Sequence, residues 1–325
     1  MIKTRVIATA ASVPEQIITN DDLAKIVDTS DEWITQRTGI KERHISSGEN
    51  TSVFVVEVAK KLLEKAEVPA ESIDLIIIAS VTPDYGTPSL ACMVQKAVGA
   101  ANAVAFDVVA ACSGFIFALS IADKYIRSAG YQNAIVIGGE TLSKIVDWSE
   151  RSTCVLFGDG AGGAYLEKSQ DGGLISEDIG SAGERYEILT CGYTECSNAF
   201  NGNSAGIDPL WYVHMDGREV FKFATKNVIK SLEKVMEENS ITQEDLKYVI
   251  PHQANVRIVE VISKKLKIPF EKFYMNMDRY GNTSSASIPI ALSELDEKGL
   301  IERGDKIILT GFGGGMTWGT MLITW

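Results

Sequence analysis

A cysteine in the middle of the chain has the surroundings of a nucleophile. Cys112 stands in DVVAACSGF, between a short apolar run typical of a buried strand and a predicted helix at 113–128. The positive end of a helix dipole favours a thiolate over a thiol, so this position predicts a lowered pKa for Cys112. The competing interpretation is that Cys112 is a small buried hydrophobe, which is common for a free cysteine.

A histidine and an asparagine occupy similar junctions in the second half of the chain. His252, in VIPHQAN, follows a predicted buried strand, and α/β proteins place their sites at the carboxyl ends of strands. Asn282, in RYGNTSSAS, lies in a loop that enters a predicted helix, where a plain turn or N-cap role is the alternative. His44 and His214 lie in polar stretches and are predicted to be surface residues.

Two glycine-rich segments invite a ligand-binding interpretation. GFGGGMTWG, near the C-terminus, lets backbone N–H groups come close to a ligand oxygen. GDGAGG, at Gly158–Gly163, has the spacing of a dinucleotide-binding motif. A strand-like run follows it where that motif requires a helix, so the sequence argues against a dinucleotide site.

The composition excludes several classes of protein. The 325 residues include 31 lysines and arginines against 43 aspartates and glutamates, and the net charge of −12 argues against a general nucleic-acid binder. An odd number of cysteines, five, argues against a disulfide framework and favours a reducing, cytoplasmic setting. No apolar run approaches the roughly 18 residues of a membrane span. No histidine pair has zinc-ligand spacing, so we expect no metal site.

The apolar pattern alternates between strand and helix periodicity from the N-terminus onward. Strands are predicted near the N-terminus and at 74–81, 104–109 and 134–138, and helices at 52–67, 113–128 and 217–239. Ser52 is the expected N-cap of the first of these helices. Cys92 and Cys154 lie in apolar runs and are expected in the core. This alternation predicts an α/β fold with mixed or parallel sheets.

An internal repeat relates the two ends of the chain. ESIDLIIIAS around Asp74 resembles EDLKYVIPHQ around Asp245, 171 residues later, and GYQNAIVIGGE resembles GDKIILTGFGG, 174 residues later. Two offsets so close indicate duplicated halves, 1–170 and 171–325. The helices that follow the cysteine and asparagine junctions would then point their N-termini at one shared centre, which favours negative charge.

Six segments, in order along the whole chain, give a specific resemblance. DTSDEWITQRTGIKER, DVVAACSGF, FGDGAGG, PHQANVRI, RYGNTSSASIP and GFGGGMTWG resemble β-ketoacyl-acyl-carrier-protein synthase III, in the thiolase-like superfamily. The resemblance implies a thiolase-like, duplicated α-β-α-β-α five-layer fold that is normally a homodimer. Its first half, 1–170, would carry the cysteine, and its second half, 171–325, the histidine and asparagine.

The resemblance also implies a decarboxylating Claisen condensation that initiates type II fatty-acid synthesis. A primer acyl group would pass from coenzyme A to Cys112, and malonyl-acyl-carrier protein would then lose CO₂ and attack the acyl-enzyme. His252 and Asn282 would donate hydrogen bonds to the malonyl thioester, and the N–H groups of Cys112 and Gly314 would form an oxyanion hole. Phe312 would shape an apolar wall beside the malonyl carboxylate. No metal or organic cofactor is implied, since the coenzyme A thioester is a substrate.

Binding residues for coenzyme A follow from the same resemblance. Trp33 and Arg151 resemble the pair that holds the adenine ring between them, and stacking with a cation over an aromatic face suits a purine. The other residues implied for the nucleotide, the pantetheine arm or the acyl chain are Thr29, Arg37, Thr87, Phe221, Asn255 and Phe312. For Arg37 and Arg151 the alternative is an ordinary surface position.

Acyl-carrier protein is itself acidic, so an acidic synthase needs a local basic patch. Lysines recur every four residues on the predicted helix 217–239, and further basic residues follow the PHQAN segment. The carrier-protein contacts that we expect are Lys222, Arg257, Lys264 and Lys265. Complementary patches of this kind chiefly set the association rate and specificity.

One departure from the family concerns primer length. Thr87, in YGTPSLAC, falls where many relatives carry a bulky phenylalanine that reaches from one subunit into the acyl pocket of its partner. The smaller threonine leaves more room. We therefore expect primers longer or more branched than acetyl.

Several other families and classes of protein compete with this prediction. The runner-up is a related Cys-His-Asn ketosynthase of polyketide or secondary-metabolite synthesis. A degradative thiolase needs a second cysteine in the C-terminal half, where the chain has none beyond Cys196, and elongating synthases need a second histidine, which does not follow His252. A papain-like protease has a local sequence signature around its catalytic cysteine, and the residues around Cys112 lack that signature. A non-catalytic carrier-protein-binding module would not need the intact thiol, imidazole and amide.

Overall fold

The computed structural model describes residues 2–128, 130–196, 200 and 209–325. The strands in these residues are β1 (Lys3–Ser12), β2 (Ile17–Thr19), β3 (Glu42–His44), β4 (Leu75–Ala79), β5 (Val104–Val108), β6 (Asn133–Glu140), β7 (Gly160–Ser169), β8 (Gly173–Ser181), β9 (Leu189–Thr190), β10 (His214–Met215), β11 (Leu246–Pro251), β12 (Lys306–Gly313) and β13 (Thr317–Thr324). The α-helices are α1 (Asn20–Leu23), α2 (Asp31–Thr38), α3 (Thr51–Ala66), α4 (Leu90–Val98), α5 (Gly114–Ser128), α6 (Arg151–Cys154), α7 (Gly217–Glu238), α8 (Val256–Leu266), α9 (Met277–Tyr280) and α10 (Ser287–Glu297).

Two mixed sheets organise these elements. The first has the strand order β1-β7-β6-β4-β5, in which β4 runs parallel to β5 and β6 while β7 is antiparallel to both of its neighbours. The second has the order β11-β12-β13-β8, with β11 parallel to β12 and the other pairs antiparallel. The first sheet takes its strands from residues 3–169 and the second from residues 173–324.

The helices form three layers around the two sheets. α5 and α10 lie between the sheets and share a buried apolar cluster with both of them. α3 and α4 cover the outer face of the first sheet, and α7 and α8 cover the outer face of the second. The order helix, sheet, helix, sheet, helix confirms the predicted five-layer α/β fold.

Continuous apolar runs form the central strands because both faces of each sheet are covered. In β4, Ile77 and Ala79 pack on the inner helices, whereas Ile76 and Ile78 pack on the outer ones. The alternation in β12 is the same: Leu309 packs on the inner helices, and the residue before it packs on the outer ones. Side chains alternate between the faces of a strand, so an unbroken apolar sequence fills two layers of core at once.

Most predicted elements are confirmed with their ends moved by a few residues. The strands predicted at 74–81, 104–109 and 134–138 are β4, β5 and β6, and the helices predicted at 52–67, 113–128 and 217–239 are α3, α5 and α7. A strand, β7, also begins within GDGAGG and continues after it, where a dinucleotide site would require a helix.

Some local predictions are wrong. The N-cap of α3 is Asn50, not Ser52, whose hydroxyl instead donates to the Asp84 carboxylate at 2.6 Å. Cys92 is exposed on α4, because an apolar run in an outer-layer helix still has one face toward solvent, whereas Cys154 is buried as expected. His44 is half-buried rather than on the surface, stacked on the Tyr280 ring with the ring centroids 5.3 Å apart.

The inner helices begin in the same unusual way. Ala111, just before the turn that leads into α5, has a φ of 46°, and Ser284, just before α10, has a φ of 50°. Both values lie in the left-handed region, which non-glycine residues enter rarely. Each of these turns packs against the end of the opposite sheet, near Gly313 and Gly138 respectively.

The contact between β6 and the start of α10 is close enough to require glycine. A Cβ atom on residue 138 would lie 2.2 Å from the backbone oxygen of Ser285. We predict that Gly138→Ala lowers the free energy of unfolding by about 1–3 kcal/mol, the usual cost of overpacking. Urea unfolding monitored by circular dichroism measures it.

Gly183→Ala is the matched control, because a Cβ atom there would meet nothing within 4 Å. This variant should unfold within about 0.5 kcal/mol of the parent, as exposed substitutions usually do. Equal stability of the two variants would mean that the tight contact at Gly138 is absent in solution.

Candidate active site

A cavity of about 560 Å³ opens where the two sheets and the inner helices meet. Cys112, His252 and Asn282 all line it, although they come from three separate segments of the chain. Most of the remaining lining is apolar and includes Val81, Leu142, Ile145, Val155, Leu156, Phe157, Leu189, Val213, Phe221 and Phe312. The structure thus brings the three sequence-predicted polar side chains together at one largely apolar site.

Cys112 lies in the turn between β5 and α5, with 8% of its surface exposed. The Ser284 side chain lies within hydrogen-bonding reach of its thiol, and its backbone nitrogen packs against β12, where a Cβ atom on Gly313 would lie 2.5 Å from the nitrogen. Burial raises the pKa of Cys112 to about 12, and Glu140 and Cys191 act in the same direction. The pKa lowering predicted from the helix N-terminus is therefore wrong, because desolvation of the thiolate outweighs the hydrogen bonds that would stabilise it.

His252 follows β11 and is held on both sides of its ring. Its backbone N–H donates to the Thr310 oxygen at 2.7 Å, and Nδ1 lies 2.7 Å from the Ser287 hydroxyl. The Phe312 ring meets the imidazole edge-on with the centroids 5.4 Å apart. Burial lowers the pKa of His252 to about 3, so the ring is neutral at ordinary pH. When Ser287 donates to Nδ1, the ring hydrogen is on Nε2.

Asn282 is fixed through both its backbone and its side chain. Its N–H donates to the Leu156 oxygen at 2.8 Å, and its carbonyl accepts from the Gly158 N–H at 3.0 Å. The side-chain Oδ1 accepts a hydrogen bond from the Ser284 N–H at 2.8 Å. With its oxygen engaged in this way, the amide has its Nδ2 hydrogens left to donate to a ligand.

Two further predicted site residues adjoin these three. Gly314 lines the cavity beside the turn of Cys112, since a Cβ atom on it would lie 3.6 Å from the Cβ of Ala111. Phe312 is buried and forms a wall next to the imidazole. Both line the same cavity as Cys112 and His252, and their roles in an oxyanion hole and an apolar wall remain proposals.

The cavity reaches the surface beside an aromatic ring flanked by arginines. Trp33 lines the cavity, and the guanidinium carbons of Arg37 and Arg151 lie 4.4 Å and 4.8 Å from its ring centroid. Arg151 also donates to the Asp28 backbone oxygen at 2.8 Å. A purine between Trp33 and Arg151 needs a separation of roughly 7 Å, two layers of ~3.5 Å each. Arg151 therefore has to move before a base can enter.

The other predicted substrate residues are not all at the cavity. Phe221, on α7, and Asn255, the N-cap of α8, line it, and the Asn255 Oδ1 accepts from the Arg257 N–H at 2.9 Å. Thr29 is not part of the lining, and its hydroxyl is buried with no hydrogen-bond partner. Thr87 is exposed and does not line the cavity of this chain.

The four basic residues predicted to contact a carrier protein are all exposed. Arg257, Lys264 and Lys265 lie on α8 and take part in no ion pair among the described residues. Lys222, on α7, is paired with Glu219 at 2.6 Å. The α8 residues therefore offer more uncompensated positive charge than Lys222 does.

Several residues that organise the site were not found by sequence reasoning. Ser284 contacts both the Cys112 thiol and the Asn282 amide, and Ser287 orients His252. Both stand in the TSSAS segment that follows Asn282, where the clustered serines were the only signal. Glu140, a fully buried acid at the end of β6, gave no local signal because its partners are distant in sequence.

Neither a metal-binding cluster nor a membrane-spanning helix occurs in the residues that the structure describes. No group of three or more histidine, cysteine, aspartate or glutamate side chains in that part of the chain is placed to hold a metal ion. Across the same residues, no helix combines the length and apolar character needed to cross a membrane.

Comparison with known proteins agrees with this architecture. Family models described as the 3-oxoacyl-[acyl-carrier-protein] synthase III and its C-terminal region match residues 106–183 and 236–325. β-Ketoacyl-[acyl-carrier-protein] synthase III of Clostridium novyi (strain NT) is 51% identical over 325 residues, covering 100% of both chains.

Solved structures extend the similarity to three dimensions. The crystal structure of 3-oxoacyl-[acyl-carrier-protein] synthase III from Aquifex aeolicus VF5 superposes with a TM-score of 0.92 at 45% identity, covering 99% of this chain and 100% of the other. The priming β-ketosynthase of the R1128 polyketide pathway superposes with a TM-score of 0.90 at 32% identity, covering 99% and 96%. With a full-length relative at half identity and the same fold throughout, the chain belongs to the β-ketoacyl-[acyl-carrier-protein] synthase III family of condensing acyltransferases.

Proposed function

We propose that this protein condenses an acyl-CoA primer with malonyl-acyl-carrier protein, with loss of CO₂, and so initiates type II fatty-acid synthesis in the cytoplasm. The observation that carries the proposal is the meeting of Cys112, His252 and Asn282 at one apolar cavity. Names of the similar proteins give the reaction class, and the cavity supplies a nucleophile and two hydrogen-bond donors for its two half-reactions.

In the first half-reaction the Cys112 sulfur attacks the primer thioester. A sulfur–carbon bond forms to the acyl group, and coenzyme A leaves as its thiol after taking a proton. Because burial raises the pKa of Cys112 to about 12 and lowers that of His252 to about 3, thiolate and imidazolium do not rest in the cavity as a charged pair. The thiol proton passes to the departing sulfur of coenzyme A as the Cys112 sulfur attacks, and the N–H groups of Cys112 and Gly314 stabilise the oxyanion.

In the second half-reaction the malonyl group loses CO₂ and its electron pair passes into a thioester enolate. The Nε2 of His252 and the Nδ2 of Asn282 donate to the enolate oxygen, where the negative charge develops. The carbanion then attacks the acyl carbon on Cys112, the thioester bond to sulfur breaks, and the released Cys112 thiolate takes a proton from water to return to the resting thiol. Phe312 excludes water from the malonyl carboxylate and so favours its loss. No step calls for a metal or an organic cofactor.

Coenzyme A would bind through the residues at the cavity mouth. Trp33 and Arg151 would hold the adenine ring once Arg151 has moved, and Arg37 would stay near the charged nucleotide end. Thr29, whose hydroxyl has no hydrogen-bond partner within the chain, would also contact the nucleotide end. Along the arm, Asn255 would donate to a pantetheine carbonyl, since its Oδ1 is already used by the helix cap.

The carrier protein would dock on α8. Arg257, Lys264 and Lys265 give it a positive face in an otherwise acidic protein, and an acidic partner would be steered to such a face. Lys222, already paired with Glu219, would contribute less. Docking there places the malonyl arm at the mouth, because Asn255 at the start of α8 lines the cavity.

A homodimer would form through the edge of the first sheet. β5 is the outermost strand of that sheet, and Val104 and Val109 at its ends are 44% and 77% exposed. An exposed edge strand with apolar side chains is a site for pairing with another chain. Thr87, exposed on the loop before α4, would then approach the partner's cavity. The division of the chain into halves at residue 170 also stays a prediction.

A polyketide-type priming synthase is the second candidate. The likeness to the R1128 priming β-ketosynthase, which has the same fold at 32% identity, favours it. The two candidates differ in the carrier protein that accepts the product. Turnover with a fatty-acid acyl-carrier protein supports the first proposal, and turnover only with a polyketide carrier protein supports the second.

Acylation of Cys112 is the first testable consequence. After mixing with a panel of acyl-CoAs from acetyl to octanoyl, the intact mass of the wild type should increase by one acyl group. Cys112→Ala should stay unmodified, because the acceptor sulfur is absent. Transfer to Cys112→Ala, or no adduct from any member of the panel, would contradict the proposed nucleophile.

Primer preference follows from the small side chain at position 87. We predict that wild-type protein is acylated faster by C4–C8 primers than by acetyl-CoA, and that Thr87→Phe reverses the order by filling the partner's acyl pocket. Competition between paired acyl-CoAs, read by mass spectrometry, gives the ratio.

Tyr85→Phe is the matched control for primer preference, because Tyr85 is exposed on the same loop. This control should keep the wild-type preference. Equal or faster acylation by acetyl-CoA in the wild type would refute the role of Thr87.

A further inference from the structure

A buried carboxyl group lies behind the candidate active site, outside its lining. Glu140 ends β6 and is 0% exposed. It accepts hydrogen bonds from the Thr82 hydroxyl at 2.5 Å, the Val81 N–H at 3.1 Å and the Ser80 hydroxyl at 3.2 Å, and its Oε1 lies 2.7 Å from the Ser285 hydroxyl. These partners come from the loop after β4 and from the turn before α10, so the side chain joins the two halves of the molecule.

The hydrogens around this group can be counted. The Ser80 oxygen accepts from the Thr82 N–H at 3.1 Å, and the Thr82 oxygen accepts from the Thr141 N–H at 2.9 Å. Each hydroxyl therefore has its own hydrogen left to donate to Glu140. Together with the Val81 N–H, which lies 3.1 Å from Oε2 and also 3.3 Å from Oε1, they occupy Oε2.

The remaining oxygen, Oε1, faces a hydroxyl that has another acceptor. Ser285 lies 2.9 Å from the Ala79 backbone oxygen and 2.7 Å from Oε1 of Glu140. A hydroxyl has one hydrogen, and a backbone carbonyl can only accept. If Ser285 donates to Ala79, the hydrogen between Ser285 and Glu140 belongs to the carboxyl group. A neutral acid satisfies both contacts.

The surroundings favour the neutral form. Burial raises the pKa of Glu140. The titratable groups that act on it electrostatically are Lys144, Cys112 and Cys191. Lys144 makes no ion pair with it and donates to two backbone carbonyls, Thr82 and Pro83, while burial lowers its own pKa. A buried carboxylate without a paired cation is costly, and protonation removes that cost.

Ser285 connects this acid to the Asn282 amide. Ser285 is anchored by Glu140 and Ala79, and the preceding Ser284 has a φ of 50°. That backbone conformation turns the Ser284 N–H toward Oδ1 of Asn282, at 2.8 Å. The acceptor end of the amide is thereby fixed, and the donor end is left for the cavity.

We propose that Glu140 is a positioning residue that, as a neutral acid donating to Ser285, fixes the turn 282–285 and so aims the Asn282 amide at the substrate oxygen. The inference rests on the proposed condensation. Its consequence is selective: loss of the acid impairs the malonyl half-reaction, which uses the Asn282 amide, more than the acylation of Cys112.

Three variants test this path, with wild type and Asn282→Ala as references. Glu140→Ala removes the acid, Ser285→Ala removes its link, and Glu140→Gln replaces it by a neutral group that can donate to Ser285 through its amide. Cys112 acylation is timed by intact mass, and CO₂ release from malonyl-acyl-carrier protein is measured on pre-acylated enzyme. Thermal melting checks that each variant is folded.

We expect Glu140→Ala and Ser285→Ala to slow CO₂ release by roughly tenfold or more, approaching the ~10²-fold loss typical of removing such a donor. Acylation should stay within about threefold of wild type, because the thiol itself is intact. Glu140→Gln should recover most of the lost rate. The double variant Glu140→Ala/Ser285→Ala should be no slower than the slower single variant, since both act on one path.

Glu177→Gln is the matched control. That carboxylate is partly buried and accepts from Ser120 at 3.0 Å, but it lies away from the cavity lining. The Glu177→Gln variant should show wild-type rates of both Cys112 acylation and CO₂ release.

Other outcomes separate the inference from the proposed function. Wild-type CO₂ release in Glu140→Ala, parallel loss of both half-reactions, or a Glu140→Gln variant as slow as Glu140→Ala would each overturn the positioning role. If Glu140→Ala melts below the assay temperature, Ser285→Ala carries the same comparison. Failure of the wild type to acylate or condense would instead refute the proposed function.

Discussion

Burial of a thiol and an imidazole in the same apolar cavity is the constraint on which the rest of the candidate site depends. Separating charge there would require desolvating two ions, and attraction between them repays that cost only with excellent geometry. Burial raises the pKa of Cys112 to about 12 and lowers that of His252 to about 3. Both groups rest uncharged, so their orientation has to come from hydrogen bonds and packing rather than from ionic attraction.

The inner helix layer supplies that orientation. The segment from Asn282 to Ser287, which leads into α10, reaches each of the three polar groups. Ser284 contacts the thiol and the amide, and Ser287 contacts the imidazole. Ser285 faces the other way and is held by the end of β6. One short turn therefore sets the geometry of residues that belong to distant parts of the chain.

Close contact between the layers makes this arrangement possible. The turn of Cys112 lies against Gly313, and the turn of Ser285 lies against Gly138, at distances that leave no room for a side chain. A rigid scaffold holds hydrogen-bonding groups in place without reorganisation during a reaction. The packing of the five layers therefore fixes the positions of the hydrogen-bonding groups around the cavity. The order of the cavity depends on these contacts.

The sequence predicts much of this structure because apolar runs report burial directly. Continuous runs identified β4, β5 and β6, and amphipathic periodicity identified α3 and α7. The family motifs implied the five layers and the meeting of Cys112 with His252 and Asn282, and the repeat indicated a shared centre for the helices that follow Cys112 and Asn282. Apolar runs, amphipathic periodicity and family motifs can each be recognised in short segments of the chain.

What the sequence does not predict depends on tertiary contacts. The pKa of Cys112 moves opposite to the expectation from its helix because the depth of burial is not visible in a motif. Glu140 binds partners about 60 and 145 residues away, so no spacing rule could identify it. The Arg151 side chain stacks directly on Trp33, which a resemblance to a ligand-bound arrangement does not show.

The most direct test of this account is the protonation state of His252 in solution. The chain has three histidines, so nuclear magnetic resonance of histidine-labelled protein can resolve them, with His44→Gln and His214→Gln variants to assign the signals. The account predicts that His252 stays neutral, with its hydrogen on Nε2, from about pH 9 down to about pH 4. A titration of His252 with a midpoint between pH 6 and 7 would contradict it, because the ring would then be solvated and charged near neutral pH.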